Sequence, residues 1–258
     1  MSAPLSNKGT LYLVPTPLDF GMALEAAPAE TWLPRETLAV ASGLTHWITE
    51  NAKSTRAFLK RVEATVGIAA PVQGQHITEL PRAAHKKGDH TPHAEGDTQS
   101  RELLAPALHG NDIGLVSEAG MPAIADPGSA VVRAAHALGL KVVPLTGPVS
   151  LMLALSASGL NGQSFAFVGY VPQEATERGK RLRDLEALAL KTGQTQILIE
   201  TPYRNTALLQ ALLHTLHPHT RLAVCCAMSL PQQVSRSALV SEWKRGPGIA
   251  NDLPLDTP

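Results

Sequence analysis

The chain has 258 residues, enough for one large α/β domain or two smaller ones. Hydrophobic residues make up 44% of it and aromatic residues only 4%, so the expected core is sizeable and aliphatic. With 22 Lys and Arg against 22 Asp and Glu, no global field favours nucleic acid, and no apolar run approaches the ~18 residues of a membrane span.

Residues 10–14 read as a first strand, ended by Pro15-Thr16-Pro17. The run is too short for the apolar core of a signal peptide, and a soluble, cytoplasmic protein is expected. Residues 38–48 read as a loosely alternating strand and its exit. Thr49-Glu50-Asn51 then opens a helix over Ala52–Val66, with Phe58, Leu59 and Val62 on one side and Lys53, Arg56 and Lys60 elsewhere. Residues 81–97 are polar and rich in His, Lys and Gly, the pattern of a surface loop. A helix over residues 100–108 leads to the next strand.

The stretch from Ile113 to Leu160 carries the most information. Ile113–Val116 is a short apolar run, as a buried parallel strand should be. A loop of Gly, Pro and small residues follows, holding one acid, Glu118. Asp126-Pro127 then reads as a helix start, Asp as N-cap and Pro at the first helical position. The helix carries Val131, Val132, Ala135 and Leu138 and ends at Gly139. Lys141–Pro144 is the next strand, and Gly147-Pro148 opens the next helix in the same manner. A strand that leaves through a bare, glycine-bearing loop into a helix start is where α/β proteins bind ligands through backbone N–H groups.

Residues 165–168 form a strand, with Gly169-Tyr170-Val171-Pro172 as its exit. A helix over residues 177–191, a strand over 195–199 and a helix over 203–216 follow. Thr201-Pro202 caps the last of these. Residues 221–227 and 233–238 are further strands, and the Gly- and Pro-rich tail beyond Lys244 is expected to fray. The domain junction is placed at Ser158-Gly159, giving α/β domains over residues 1–158 and 159–258.

Several common functions lack their fingerprints. There is no GxGxxG, no GxxxxGK[ST] and no GxSxG. His85, His90 and His93, and separately His214, His217 and His219, lack the spacing of a zinc site, so no metal is expected. Cys225 and Cys226 are neighbours in a strand, face opposite sides and read as packing residues. Glu50, Asn51, Lys53 and Arg56 are either a functional cluster or a solvated, capped helix start. Glu200, at the end of an apolar strand, is either functional or part of a buried ion pair, because a carboxylate there is costly without a partner.

In their order, these pieces resemble the tetrapyrrole methylase-like superfamily of S-adenosylmethionine-dependent methyltransferases. Within it they most resemble the ribose 2′-O-methyltransferases of small-subunit ribosomal RNA. The residues that carry the resemblance are Gly9-Thr-Leu-Tyr-Leu-Val14 with Thr16-Pro17, then Ser117-Glu-Ala-Gly-Met-Pro-Ala-Ile-Ala-Asp-Pro-Gly128, where the family has SDAGTPxISDPG. Gly147-Pro148, residues 154–160, residues 165–169 and Glu200-Thr-Pro-Tyr-Arg204, where the family has ESPHR, complete it.

The resemblance implies two α/β domains with the methyl donor in the cleft between them, and a homodimer. It implies S-adenosyl-L-methionine as cofactor, contacted by Pro17, Gly120, Met121, Pro122, Ile124, Ala125, Val149, Ser150, Glu200 and Thr201. Arg56 and Arg204 are the expected acceptor contacts, and Glu50, Lys53 and Glu118 the candidates for proton transfer from a hydroxyl. The chain also departs from the pattern. The family's AEDTR stands here as Thr49-Glu50-Asn51-Ala52-Lys53, Glu118 and Met121 replace Asp and Thr, and the later acidic ELTK segment is absent. The expected acceptor is RNA or a related molecule. The alternatives are a tetrapyrrole or other small metabolite, and a donor-binding protein without catalysis.

Overall fold

A computed structural model of the chain describes residues 8–19, 28–81, 94–245 and 252–257. Contacts group the chain into two compact units, Met1–Pro148 and Val149–Pro258.

The first unit is built on a five-stranded sheet. Its strands are β1 (Thr10–Leu13), β2 (His46–Thr49), β3 (His76–Glu79), β4 (Ile113–Val116) and β5 (Lys141–Pro144), in the order β3-β2-β4-β1-β5. All four pairings are parallel. Side chains alternate across the sheet, so each strand feeds two cores. Trp47 and Val116 pack on one face with Leu38 and Ala41 of α1 (Arg35–Gly43) and Phe58, Leu59 and Val62 of α2 (Ala52–Val66). Ile48, Ile113 and Leu115 pack on the other with Leu104, and with Val131 and Ala135 of α5 (Ser129–Ala137). Helices α3 (Ala94–Leu103) and α4 (Ala105–Leu108) precede β4. β4 lies inside the sheet and is buried along its whole length, as its unbroken apolar run predicts.

The structure corrects several element boundaries. Residues 38–43 are the end of helix α1, not a strand: Thr37, Leu38 and Ala41 are buried at helical spacing. The helix expected over residues 100–108 begins by Ala94 and is interrupted at Leu104. Of the polar segment 81–97, residues 82–93 lie outside the described residues, and with them His85, His90 and His93.

The second unit begins with α6 (Ser150–Ser158), which packs on β8 (Arg221–Cys226) and β9 (Val234–Leu239); the sequence alone assigns this helix to the first domain. Strands β6 (Phe165–Gly169) and β7 (Thr195–Leu198) pair in parallel, and β8 and β9 pair antiparallel. Helices α7 (Ala175–Thr192) and α8 (Pro202–Thr215) supply Leu182, Leu185, Leu208 and Leu212 to one core with Val171 and Leu216. A second core joins Leu209, Trp243 of α9 (Val240–Trp243) and Leu253. The described part of the tail, residues 252–257, is therefore held rather than frayed. Leu253 is buried, and Asn205 Nδ2 donates to Leu255 O (3.0 Å) and Thr257 O (3.2 Å).

Candidate functional site

Because β4 lies between β2 and β1, these three strands end side by side. The chain crosses over β4 between β1 and β2, and over β1 between β4 and β5. Open α/β sheets bind ligands at the carboxyl edge where the strand order reverses in this way.

The loops after β1 and β4 are stapled together there. Thr16 N donates to Gly120 O (2.9 Å) and Gly120 N to Thr16 O (3.0 Å), with Pro17 buried beside the bridge. Thr16 Oγ1 donates to Ser117 O at 3.4 Å. The loop over residues 117–128 is held in an unusual backbone conformation. Gly120, Ala123, Ala125 and Gly128 all have positive φ, at 77°, 65°, 64° and 135°. For alanine this region costs about 1 kcal/mol or more per residue, and such strain concentrates at functional sites. Pro122 is buried, Met121 half-buried, and Ile124 and Ala125 exposed. Gly147 closes the loop after β5: a Cβ there would lie 2.2 Å from Pro15 Cγ, so the backbone approaches as only glycine allows.

The same conformation corrects two helix starts. Helix α5 begins at Ser129 with Gly128 as N-cap, and α6 at Ser150 with Val149 as N-cap. Asp126 is not a cap. Its carboxyl is hydrogen-bonded to Ser117, and burial together with the charges of Glu50 and Glu118 pushes its pKa up to about 7.

A cluster of acids forms where β2 and β4 end. Asn51 caps α2 through its Oδ1, which accepts from Lys53 N (2.9 Å) and Ser54 N (3.4 Å). Its Nδ2 donates to Glu118 Oε1 at 2.7 Å, and Glu118 N donates to Glu50 Oε2 at 3.4 Å. Glu79, at the end of β3, accepts from Ala52 N (2.8 Å). The structure thus brings Glu50, at the end of β2, to Glu118 and Asp126 of the loop after β4. Lys53 and Arg56 stand exposed on the first turns of α2, with Arg56 Nη1 turned back to Ala52 O (3.4 Å).

The remaining expected site residues lie in the second unit. Val149 and Ser150 begin α6, and Glu200 and Thr201 precede α8. Glu200 has the ion pair that its position called for. Its Oε1 accepts from Arg204 Nε (2.8 Å), Arg204 Nη2 (2.7 Å) and Thr201 N (2.8 Å), and its side chain is 7% exposed.

Asp126 is the residue that sequence reasoning missed. Asp-Pro reads locally as a helix start, and the acids that surround it arrive from positions 50 and 118. Cys226 is buried, and burial pushes its thiol up to about 11, in keeping with a packing role. His217 and His219 stand with ring centres 5.4 Å apart, and His219 N donates to His217 Nδ1.

The fold and the strained loop at its carboxyl edge define a class. Residues 40–243 match the family described as Tetrapyrrole (Corrin/Porphyrin) Methylases, and the chain belongs to that family. It is 33% identical over 181 residues to the ribosomal RNA small subunit methyltransferase I of Xylella fastidiosa strain Temecula1, covering 70% of this chain and 56% of that protein. To the protein of the same name in Pseudomonas aeruginosa it is 33% identical over 198 residues, 77% of this chain and 58% of the other. The chain thus spans little more than half the length of these curated relatives. Among solved structures, the methyltransferase CobJ matches with a TM-score of 0.51 at 19% identity, over 91% of this chain and 87% of that one, a likeness of fold alone.

Proposed function

We propose that the protein is an S-adenosyl-L-methionine-dependent methyltransferase that acts on RNA at a ribose 2′-hydroxyl. The observation that carries the donor assignment is the loop over residues 117–128, stapled through Thr16 and Gly120 and strained at Ala123 and Ala125. Family membership supports it, and the names of the two ribosomal RNA methyltransferase relatives support the acceptor.

The residues fit the donor chemically. Exposed Ile124 and Ala125 offer apolar surface to an adenosyl group, and the acids Glu50, Glu118 and Asp126 suit a cationic sulfonium. When bound, S-adenosylmethionine supplies an electrophilic methyl group and a neutral leaving group. The chain's own task is then to align the acceptor oxygen and take its proton. Glu50, Glu118 and Lys53 are the groups at this edge available to receive or steer that proton. Arg56 and Lys53, exposed one turn apart, are placed to meet phosphates. We include a homodimer in the reading: Phe165 and Phe167 are both exposed on one face of β6, apolar surface of the kind a twofold partner covers.

Two measurements test this. Calorimetry should detect binding of S-adenosylmethionine and of its demethylated product, with Ile124→Asp losing both at an unchanged melting temperature. Labelled donor incubated with RNA, protein and small-molecule fractions of a cell extract should label the RNA. Label in the small-molecule fraction would replace the RNA reading with a metabolite methyltransferase. Binding of the donor without transfer to any fraction would leave a donor-binding protein.

A further inference from the structure

The chain contains three tyrosines, and two of them stand in one exposed cluster of the second unit. Tyr203 is 82% exposed and Tyr170 54%. Between them lies the Arg204 guanidinium, 5.2 Å from the Tyr203 ring centre and 6.0 Å from that of Tyr170. Both distances are within the range of a cation over an aromatic face.

Each member is presented by a specific piece of backbone. The β6–β7 register shifts between Phe167 and Gly169, and Gly169 turns into positive φ at 71°. Bulges re-aim the residues that follow them, and here the next residue is Tyr170. Ile199 N donates to Gly169 O (3.2 Å), tying that exit to the end of β7. Tyr203 sits on the first turn of α8, behind Pro202 at the helix start, and Arg204 N closes the turn on Thr201 O (2.9 Å). Glu200, almost wholly buried, holds the guanidinium by two contacts to one oxygen. The arginine is therefore an oriented plane rather than a free surface cation.

An exposed tyrosine ring beside a fixed guanidinium plane presents two flat, polarizable surfaces to a ligand. It is good surface for a flat, electron-rich ring. We propose that Tyr170, Arg204 and Tyr203 form a stacking site for an unpaired nucleobase of the RNA acceptor, a proposal that rests on the RNA reading above. Single-stranded RNA is held through bases stacked on aromatic side chains and arginine planes, beside positive charge that follows the backbone. A polyanion held only by its phosphates would call for a basic surface instead.

The test compares a short single-stranded RNA with a ribose-phosphate strand of the same length lacking bases, by fluorescence anisotropy on the full chain. The wild type should prefer the base-bearing strand. Tyr203→Ala and Tyr170→Ala should each weaken its binding by about tenfold and leave the abasic strand unaffected, while Tyr203→Phe keeps the ring and the affinity. Affinity for S-adenosylmethionine, measured on the same samples, should stay at the wild-type value. Wild-type RNA binding that survives both alanine variants overturns the stacking site and leaves the RNA methyltransferase standing. A wild type that binds the donor but neither strand overturns both. Variants that change the sedimentation coefficient while RNA affinity holds would reassign the patch to contact between copies of the chain, and overturn the proposal.

Discussion

Asn51 Nδ2 donates to Glu118 Oε1 over 2.7 Å while the same side chain's Oδ1 caps α2, so one residue ties a helix start to the loop after β4. Losing an N-cap costs about 1 kcal/mol. Asn51→Ala should therefore lower unfolding stability by roughly 1–2 kcal/mol, while Asn51→Ser, which keeps a cap but not the reach to Glu118, should lose less. Urea midpoints measure both. An unchanged midpoint in Asn51→Ala would remove the tie from the account.

Asp126 makes stability depend on pH in an unusual direction. Its carboxyl titrates near 7 in the folded chain and near 3.8 when unfolded. Between these values the folded state keeps a proton that the unfolded state has released. Stability from this group is thus full below about pH 4 and declines as pH rises towards 7. Asp126→Asn should flatten that slope and gain on the order of 2 kcal/mol on the wild type at pH 8, but little at pH 4. Urea unfolding across this range checks the sign. A wild-type slope equal to that of Asp126→Asn contradicts it.

The same ionisation should tune the proposed donor site. As Asp126 loses its proton near pH 7, the cluster with Glu50 and Glu118 becomes more negative. A sulfonium cation should feel that change and its neutral thioether product should not. The ratio of the two affinities is expected to rise several-fold between pH 6 and 8, and to stay flat in Asp126→Asn. Calorimetry with both ligands at the two pH values gives the ratio directly.

Gly147 and Ile124 separate folding from binding. A Cβ on Gly147 would overlap Pro15, so Gly147→Ala should destabilise the first unit by about 1–3 kcal/mol. Ile124 is exposed within the strained loop, so Ile124→Ala should weaken donor binding and leave the melting temperature within about a degree. Equal loss of stability in both variants would mean that Ile124 supports the loop rather than the ligand.

Glu200 and Arg204 form a largely buried pair, and breaking such a pair from one side leaves the other charge uncompensated. Arg204→Ala should cost about 2–3 kcal/mol. Arg204→Lys should recover only part, because one ammonium cannot reproduce both guanidinium contacts. Thermal unfolding of the two variants provides the comparison.

Local pattern determined most of the alternation of strands and helices in this protein. The apolar run Ile113–Val116, the loop of small residues behind it and the Thr201-Pro202 helix start all stand where periodicity and turn chemistry place them. The motif order was enough for the family. Where helix and strand patterns overlap, as over residues 38–48, only packing of Leu38 and Ala41 against the sheet decided for the helix. The tertiary structure also decided which acids meet. The order β3-β2-β4-β1-β5 sets the end of β2 beside the end of β4, and so joins Glu50 and Glu118 across 68 positions of sequence. Asp126 owes its raised pKa first to burial and then to the charge of Glu50, brought from a distant segment, because charge and desolvation act through space while sequence motifs report only what is adjacent along the chain.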